Sequence, residues 1–136
     1  MAAFNKFNLF TQELVEAGLN FNSDTFKVML TNTVPVATNA TYSNISSNEL
    51  ANGDGYTTGG AATTISLGNV SGTETVSGTS VTWTCVTSTM GPFRYAVLYD
   101  VTTGDLVGWW DYGSSLTLNP GDTFQWNPAS GIFTLA

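Results

Sequence analysis

The chain predicts an all-β fold: an antiparallel β-sandwich or jelly-roll-like barrel with one N-terminal α-helix. Three observations predict it. Turn signals recur about every eight to twelve residues, with Asn52-Gly53-Asp54-Gly55 and Asn119-Pro120-Gly121-Asp122 the strongest. The runs between them are short and alternate apolar with polar residues, the period of a half-buried strand. Helical and strand patterns do not alternate, as a parallel α/β sheet would require. The 136 residues form one domain, 1–136, long enough to bury a core without staples.

The helix is expected over about residues 4–17. Phe4, Phe7, Phe10 and Leu14 recur at helical spacing, and Gly18 suits the position just past the C-terminus. Three phenylalanines on one stripe imply docking, onto the chain's own sheet or onto a neighbouring subunit. From Thr25 the period becomes two, and Phe26, Val28 and Leu30 share one strand face. Residues 32–44 read as a loop, and Ser46–Leu50 as one capped helical turn. Strands are then expected at Ala61–Val70, Thr73–Val76, Ser80–Val86, Ser115–Leu118, Thr123–Trp126 and Ile132–Leu135. The stretch 57–80 is low in charge, but its intermittent Ile65, Leu67, Val70 and Val76 argue against disorder.

The most distinctive segment is a hairpin: Gly91-Pro92-Phe93-Arg94-Tyr95-Ala96-Val97-Leu98-Tyr99-Asp100, a turn at Val101–Gly104, then Leu106-Val107-Gly108-Trp109-Trp110-Asp111-Tyr112. A four-residue turn sets Tyr99 opposite Leu106, Val97 opposite Gly108, Ala96 opposite Trp109, Tyr95 opposite Trp110, Phe93 opposite Tyr112 and Arg94 opposite Asp111. The lone arginine thereby meets a carboxylate. Trp109 and Trp110 must point to opposite faces in any register, since adjacent strand residues alternate. A hairpin apolar on both faces needs two covers. The interface candidates are therefore Phe4, Phe7, Phe10, Arg94, Trp109, Trp110, Asp111 and Tyr112, because aromatic residues and arginine are the favoured anchors of protein contacts.

Composition narrows function by exclusion. Charged residues make up 10%, net charge is −7, and Lys6, Lys27 and Arg94 form no basic patch. Neither a nucleic-acid phosphate backbone nor an anionic membrane would be bound by such a chain. Residues 1–20 carry Asn, Gln and Glu where a secretory signal would be apolar, and no run is long enough to span a membrane. There is no histidine, and Cys85 is the single cysteine. Cys85 lies on the Val81/Trp83 face of its strand and reads as core, with no imidazole to activate it. Asp100, Asp105, Asp111 and Asp122 could supply a carboxylate pair, but no spacing singles one out. Asp100 and Asp105 oppose each other across the turn without the ligand set that calcium needs. No catalytic residue, metal or cofactor is assigned, and a non-enzymatic role is expected.

Four segments taken together carry a resemblance. They are Lys6-Phe7-Asn8-Leu9-Phe10, the run Ser23-Asp24-Thr25-Phe26-Lys27-Val28-Met29-Leu30-Thr31-Asn32-Thr33, Gly55-Tyr56-Thr57-Thr58-Gly59-Gly60, and the hairpin from Gly91 to Gly113. In this order they resemble a family of small virion proteins of tailed bacteriophages, over nearly the whole chain. The resemblance implies a particle protein, first of all a capsid decoration or cement protein on the outer capsid surface. Its implied partners are the major capsid protein and further copies of itself, commonly as a trimer. A tail or neck component and a carbohydrate-binding or host-adhesion module are the alternatives, the last on an aromatic platform drawn from Trp83, Trp109, Trp110, Tyr112 and Trp126.

Overall fold

The period-two runs become strands, and the two longest form the centre of the molecule. The computed structural model describes residues 2–128 and 131–136. In chain order the elements are β1 (Asn5–Lys6), α1 (Asn8–Val15), β2 (Phe26–Thr31), α2 (Tyr42–Ile45) followed by a 3₁₀ turn (Ser46–Asn48), β3 (Ala61–Thr63), β4 (Ile65–Val70), β5 (Thr73–Gly78), β6 (Val81–Thr84), β7 (Met90–Asp100), β8 (Leu106–Leu118), β9 (Thr123–Trp126) and β10 (Phe133–Leu135). They build a five-stranded sheet in the order β1-β8-β7-β2-β3, a three-stranded sheet β10-β5-β4 and a two-stranded sheet β6-β9. All pairings are antiparallel, and the sheets pack in the all-β, sandwich-like manner that the sequence predicts.

The main core lies between the central sheet and the two smaller ones. Phe26, Val28, Leu30, Ala96, Leu98 and Trp110 of the central sheet meet Val76, Val81, Trp83, Phe124 and Trp126. An aromatic chain extends it to the N-terminus. Phe10 lies 6.2 Å from Phe21 and 5.1 Å from Phe133, and Phe4 lies 5.4 Å from Trp110. The central sheet also has a second, smaller core on its other face, formed by Phe7, Met29, Ile45, Val97, Tyr99 and Leu106, with Tyr42 and Trp109 against it. The sheet is thus buried on both faces by its own chain.

The helix is shorter than its phenylalanine stripe suggests. Phe7 is extended (φ −76°, ψ 153°) and α1 begins at Asn8. Residues 5 and 6 instead pair with Trp109 and Gly108 on the edge of β8. The edge offers backbone hydrogen bonds, and Phe7 is directed into the second core, which outweighs the weak helical preference of an isolated turn. A Cβ on Gly108 would fall 2.1 Å from the Phe4 ring and 2.7 Å from the Asn5 carbonyl, so the glycine makes room for β1 rather than for Val97. At its other end α1 closes in a Schellman motif. The amides of Gly18 and Ala17 donate to the carbonyls of Glu13 and Leu14 at 2.8 and 3.4 Å. The left-handed residue is Ala17 (φ 60°), one position before the glycine expected there.

The hairpin turn falls where predicted. Asp100 N–H donates to the Asp105 carbonyl at 2.8 Å, and Tyr99 pairs with Leu106. The next pair is Leu98 with Gly108, so Val107 is an extra residue on β8, a bulge that shifts the pairings from Leu98 to Tyr95 by one; a further irregularity then sets Phe93 opposite Leu116 rather than Tyr112. Ala96 consequently faces Trp110, Val97 faces Trp109 and Tyr95 faces Asp111. Part of the presumed loop 32–44 is the helical turn α2, whose entry is held by Asn44 Oδ1 accepting from the amides of Ala40 and Thr41 at 3.0 Å each. The 57–80 tract is largely strand: β3 and β4 flank Thr64, and a tight turn at Ser71-Gly72 joins β4 to β5.

Candidate functional site

The structure does not bring the eight interface candidates together as an exposed surface. Phe7 is 0% exposed, Trp110 is 1% exposed, and Phe10 is buried beside them. Trp109 is half-buried, its ring 4.7 Å from Phe7. Phe4 is half-buried against Phe10, Trp110 and Phe133. Tyr112 is half-buried, packing its ring 4.9 Å from Phe124. The two tryptophans do point to opposite faces, one into each core. Of the covers open to the second face, its own chain or a neighbour, the chain supplies one itself: Phe7 from the N-terminus, with Ile45 and Tyr42 from α2. The aromatic platform for sugars meets the same obstacle, because Trp83 and Trp126 are buried as well.

Arg94 and Asp111 do pair, although they are not directly opposed. Arg94 Nε donates to Asp111 Oδ1 at 2.7 Å and Nη2 to Oδ2 at 3.0 Å, a bidentate fork reaching diagonally across the shifted register. Hydrogen bonding to Arg94 and to the Gly113 amide holds the Asp111 carboxyl below its ordinary range, and the same pairing raises the arginine further. Both side chains remain over a third exposed, and the guanidinium lies 5.4 Å from the Tyr95 ring. With both carboxylate oxygens engaged, this is a surface clasp between β7 and β8.

Sequence reasoning missed a polar cluster under the turn that precedes β3. Glu49 accepts hydrogen bonds from the Tyr42 hydroxyl, from the Tyr56 hydroxyl at 2.6 Å and from the Gly59 amide at 2.6 Å. Tyr56 in turn accepts from the Leu30 amide at 3.1 Å, and the Tyr99 hydroxyl donates to the Gly59 carbonyl at 2.6 Å. Burial and the neighbouring Glu49 push the phenols of Tyr42 and Tyr56 well above their ordinary range; burial raises Tyr99 to about 12. The three hydroxyls stay protonated donors. The cluster fixes the Gly55–Gly60 segment to β2 and β7, and Gly60 completes it. At φ +82° its backbone comes so close to β2 that a Cβ would lie 1.9 Å from the Val28 carbonyl oxygen. The Glu49 bonds span only 7 to 10 residues, and the ties to β2 and β7 join residues 26 and 40 apart.

Among the described residues Asp100 is the buried acidic side chain. It is 0% exposed, Oδ1 accepts from the amides of Thr102 and Thr103 at 2.8 and 3.2 Å, and Oδ2 has no partner. Burial, with the adjacent Asp24, raises its carboxyl to about 6, while Asp24 is lowered by the neighbouring Asp100 side chain and by the hydrogen bond from the Asn20 amide. The pair therefore holds one proton above the usual carboxylate range. Asp105 faces Asp100 across the turn as expected, its carbonyl accepting from the Asp100 amide, and it also forms a backbone bridge with Thr41. Cys85 is buried, its thiol directed at the Ser88 carbonyl at 3.2 Å.

The open apolar surface lies away from the hairpin. A groove of about 320 Å³ runs between the end of α1 and the three-stranded sheet, where Leu14, Leu67, Val76, Phe133 and Leu135 line it and Glu74 is its one charged member. Leu67 is 45% exposed and Leu135 about as much, and the flanking strand end adds Val70. A smaller cleft of about 130 Å³ beside α2 is lined by Val34, Val36, Asn39, Asn44 and Asn48. Among the described residues no three acidic, cysteine or histidine side chains gather in a metal-binding group, and no helix is long and apolar enough to cross a membrane. No protein-family model, curated protein or solved structure matches this chain.

Proposed function

We propose that this protein is a structural component of a tailed-bacteriophage particle, a decoration protein that binds the outer capsid surface and stabilises it. One observation carries the reading. The segments that bear the resemblance to small virion proteins meet in the molecule as a single block. Ser23–Thr33 supplies β2, Gly91–Gly113 supplies β7 and most of β8, Gly55–Gly60 is the turn clasped to both by Tyr56 and Tyr99, and Phe7 seals the face between them. Segments that assemble one self-supporting sheet are what a shared fold would preserve, and the resemblance brings no catalytic residue with it. The surface also suits the role. It is poor in charge and rich in hydroxyls and amides, and its exposed large apolar residues are spread over α1, the loop before α2, the small sheet and the turns.

The test is addition of purified protein to capsids that lack it. The expected result is saturable co-sedimentation at a high copy number set by the capsid lattice, with a rise in the capsid's thermal transition. Failure to bind capsids, or a virion content of only a few copies, would remove the decoration role and favour the tail or neck.

A further inference from the structure

We propose that β4 is an assembly edge, extended antiparallel by the β4 of a second copy of this chain. The inference does not rest on the particle reading. Sheet edges present unpaired amides and carbonyls, and proteins that stay monomeric block them with lysine, proline, bulges or very short strands. Most edges here are short. β1 has two residues, β3 and β10 three each, and β6 and β9 four each. β4 has six, pairs among the described residues with β5 alone, and runs without a register shift. Its sequence, Ile65-Ser66-Leu67-Gly68-Asn69-Val70, contains no charge and no proline. All but Ile65 are exposed, with Val70 at 75%.

Charge selects the occupant. The chain carries a net −7, so most approaches of one copy to another are repulsive. β4 is a neutral strip on that acidic molecule. The nearest carboxylate on the adjacent strand, Glu74, is engaged by the Asn69 amide at 3.1 Å. Antiparallel pairing centred between Leu67 and Gly68 sets Ile65 opposite Val70 and Ser66 opposite Asn69 of the second copy, so no charge faces a charge. The contact is isologous and closes on itself as a two-fold dimer. It would join two three-stranded sheets into one of six strands and bring the Leu67 ends of the two apolar grooves together. A six-residue edge buries less than the roughly 800 Å² per partner of a standard interface, so the dimer is weak and fills at high concentration.

Sedimentation equilibrium up to about 1 mM protein tests this, with Gly68→Lys as the edge variant and Val86→Lys as the control. A Cβ on Gly68 meets nothing within 4 Å, and Val86 is exposed far from the edge in sequence. Each lysine lowers the overall repulsion between copies, so a lost dimer reports on the edge. The wild type and Val86→Lys should show a monomer–dimer equilibrium, and Gly68→Lys should weaken it at least roughly tenfold. Ser66→Lys serves as the second edge variant if Gly68→Lys does not fold. A wild type that stays monomeric to about 1 mM, or a dimer that neither edge variant weakens, overturns the proposal.

Discussion

Phe7→Ala is the most informative single substitution, because Phe7 joins the N-terminal segment to the second core. Its side chain is fully buried against Met29, Val97, Leu106 and the Trp109 ring. A buried phenylalanine removes about 150–250 Å² from water, and truncation to alanine in a closed core costs about 3–5 kcal/mol once the cavity is included. Domains of this kind hold only about 5–15 kcal/mol in total, so roughly a fifth or more of the stability is at stake. For 136 residues each kcal/mol moves the midpoint by about 4 °C, which predicts a fall in Tm of roughly 12–20 °C. Urea denaturation measures the free energy, and acrylamide quenching locates the change. Trp83, Trp110 and Trp126 are buried in the main core, so newly quenchable fluorescence in the folded variant reports Trp109. Leu9→Ala, on the exposed side of α1, is the reference and should cost below about 1 kcal/mol. A Phe7→Ala loss no larger than that of Leu9→Ala would refute the claim that the N-terminal segment seals the sheet.

Three further substitutions test other parts of the structure. Ala17→Gly should stabilise by about 0.5–1 kcal/mol, because Ala17 sits at φ 60° and glycine relieves the left-handed strain; thermal melts would check it. Gly60→Ala should destabilise by about 3 kcal/mol, since the added Cβ meets the Val28 carbonyl in a conformation that alanine resists; a denaturant midpoint near that of wild type would contradict this. Asp100→Asn tests the shared proton. The native Asp100 carboxyl is raised from 3.8 to about 6, so the folded state binds the proton more tightly than the unfolded chain. That contribution is fully present below about pH 3.8 and is lost as pH rises towards about 6. The stability of Asp100→Asn relative to wild type should therefore increase between those values and level off above, and a difference independent of pH would contradict the assignment.

Much of this architecture was legible in local pattern, and the remainder depended on contacts that leave no local trace. The alternation of Phe26, Val28 and Leu30 marked the core face of β2, and adjacency alone placed Trp109 and Trp110 on opposite faces. The 101–104 turn was readable from its flanks, but the bulge at Val107 was not, because the residue carries no glycine or other sign of irregular backbone. The Arg94–Asp111 pair survived the resulting shift because the arginine side chain is long enough to reach its partner diagonally. The helix was overextended because phenylalanines at 4, 7 and 10 mimic a helical stripe, whereas the free edge of β8 draws residues 5 and 6 into a strand. The cover of the second face was hidden for a related reason: Phe7 comes from the N-terminal segment and Tyr42 and Ile45 from the single helical turn α2, too far along the chain to share a period with it. The open groove was unreadable because Leu67 and Leu135 lie on strands far apart in sequence, brought to one sheet only by their pairing with β5.

Native-state hydrogen exchange on dilute, monomeric protein tests most directly whether the central sheet is complete within one chain. The amides of Val28–Thr31 and Tyr95–Tyr99, between the two cores, should exchange only through global unfolding, with the same free energy as denaturation. Exchange of these amides through low-energy opening, with protection appearing only on addition of capsids or at concentrations where copies associate, would contradict a sheet sealed by its own chain.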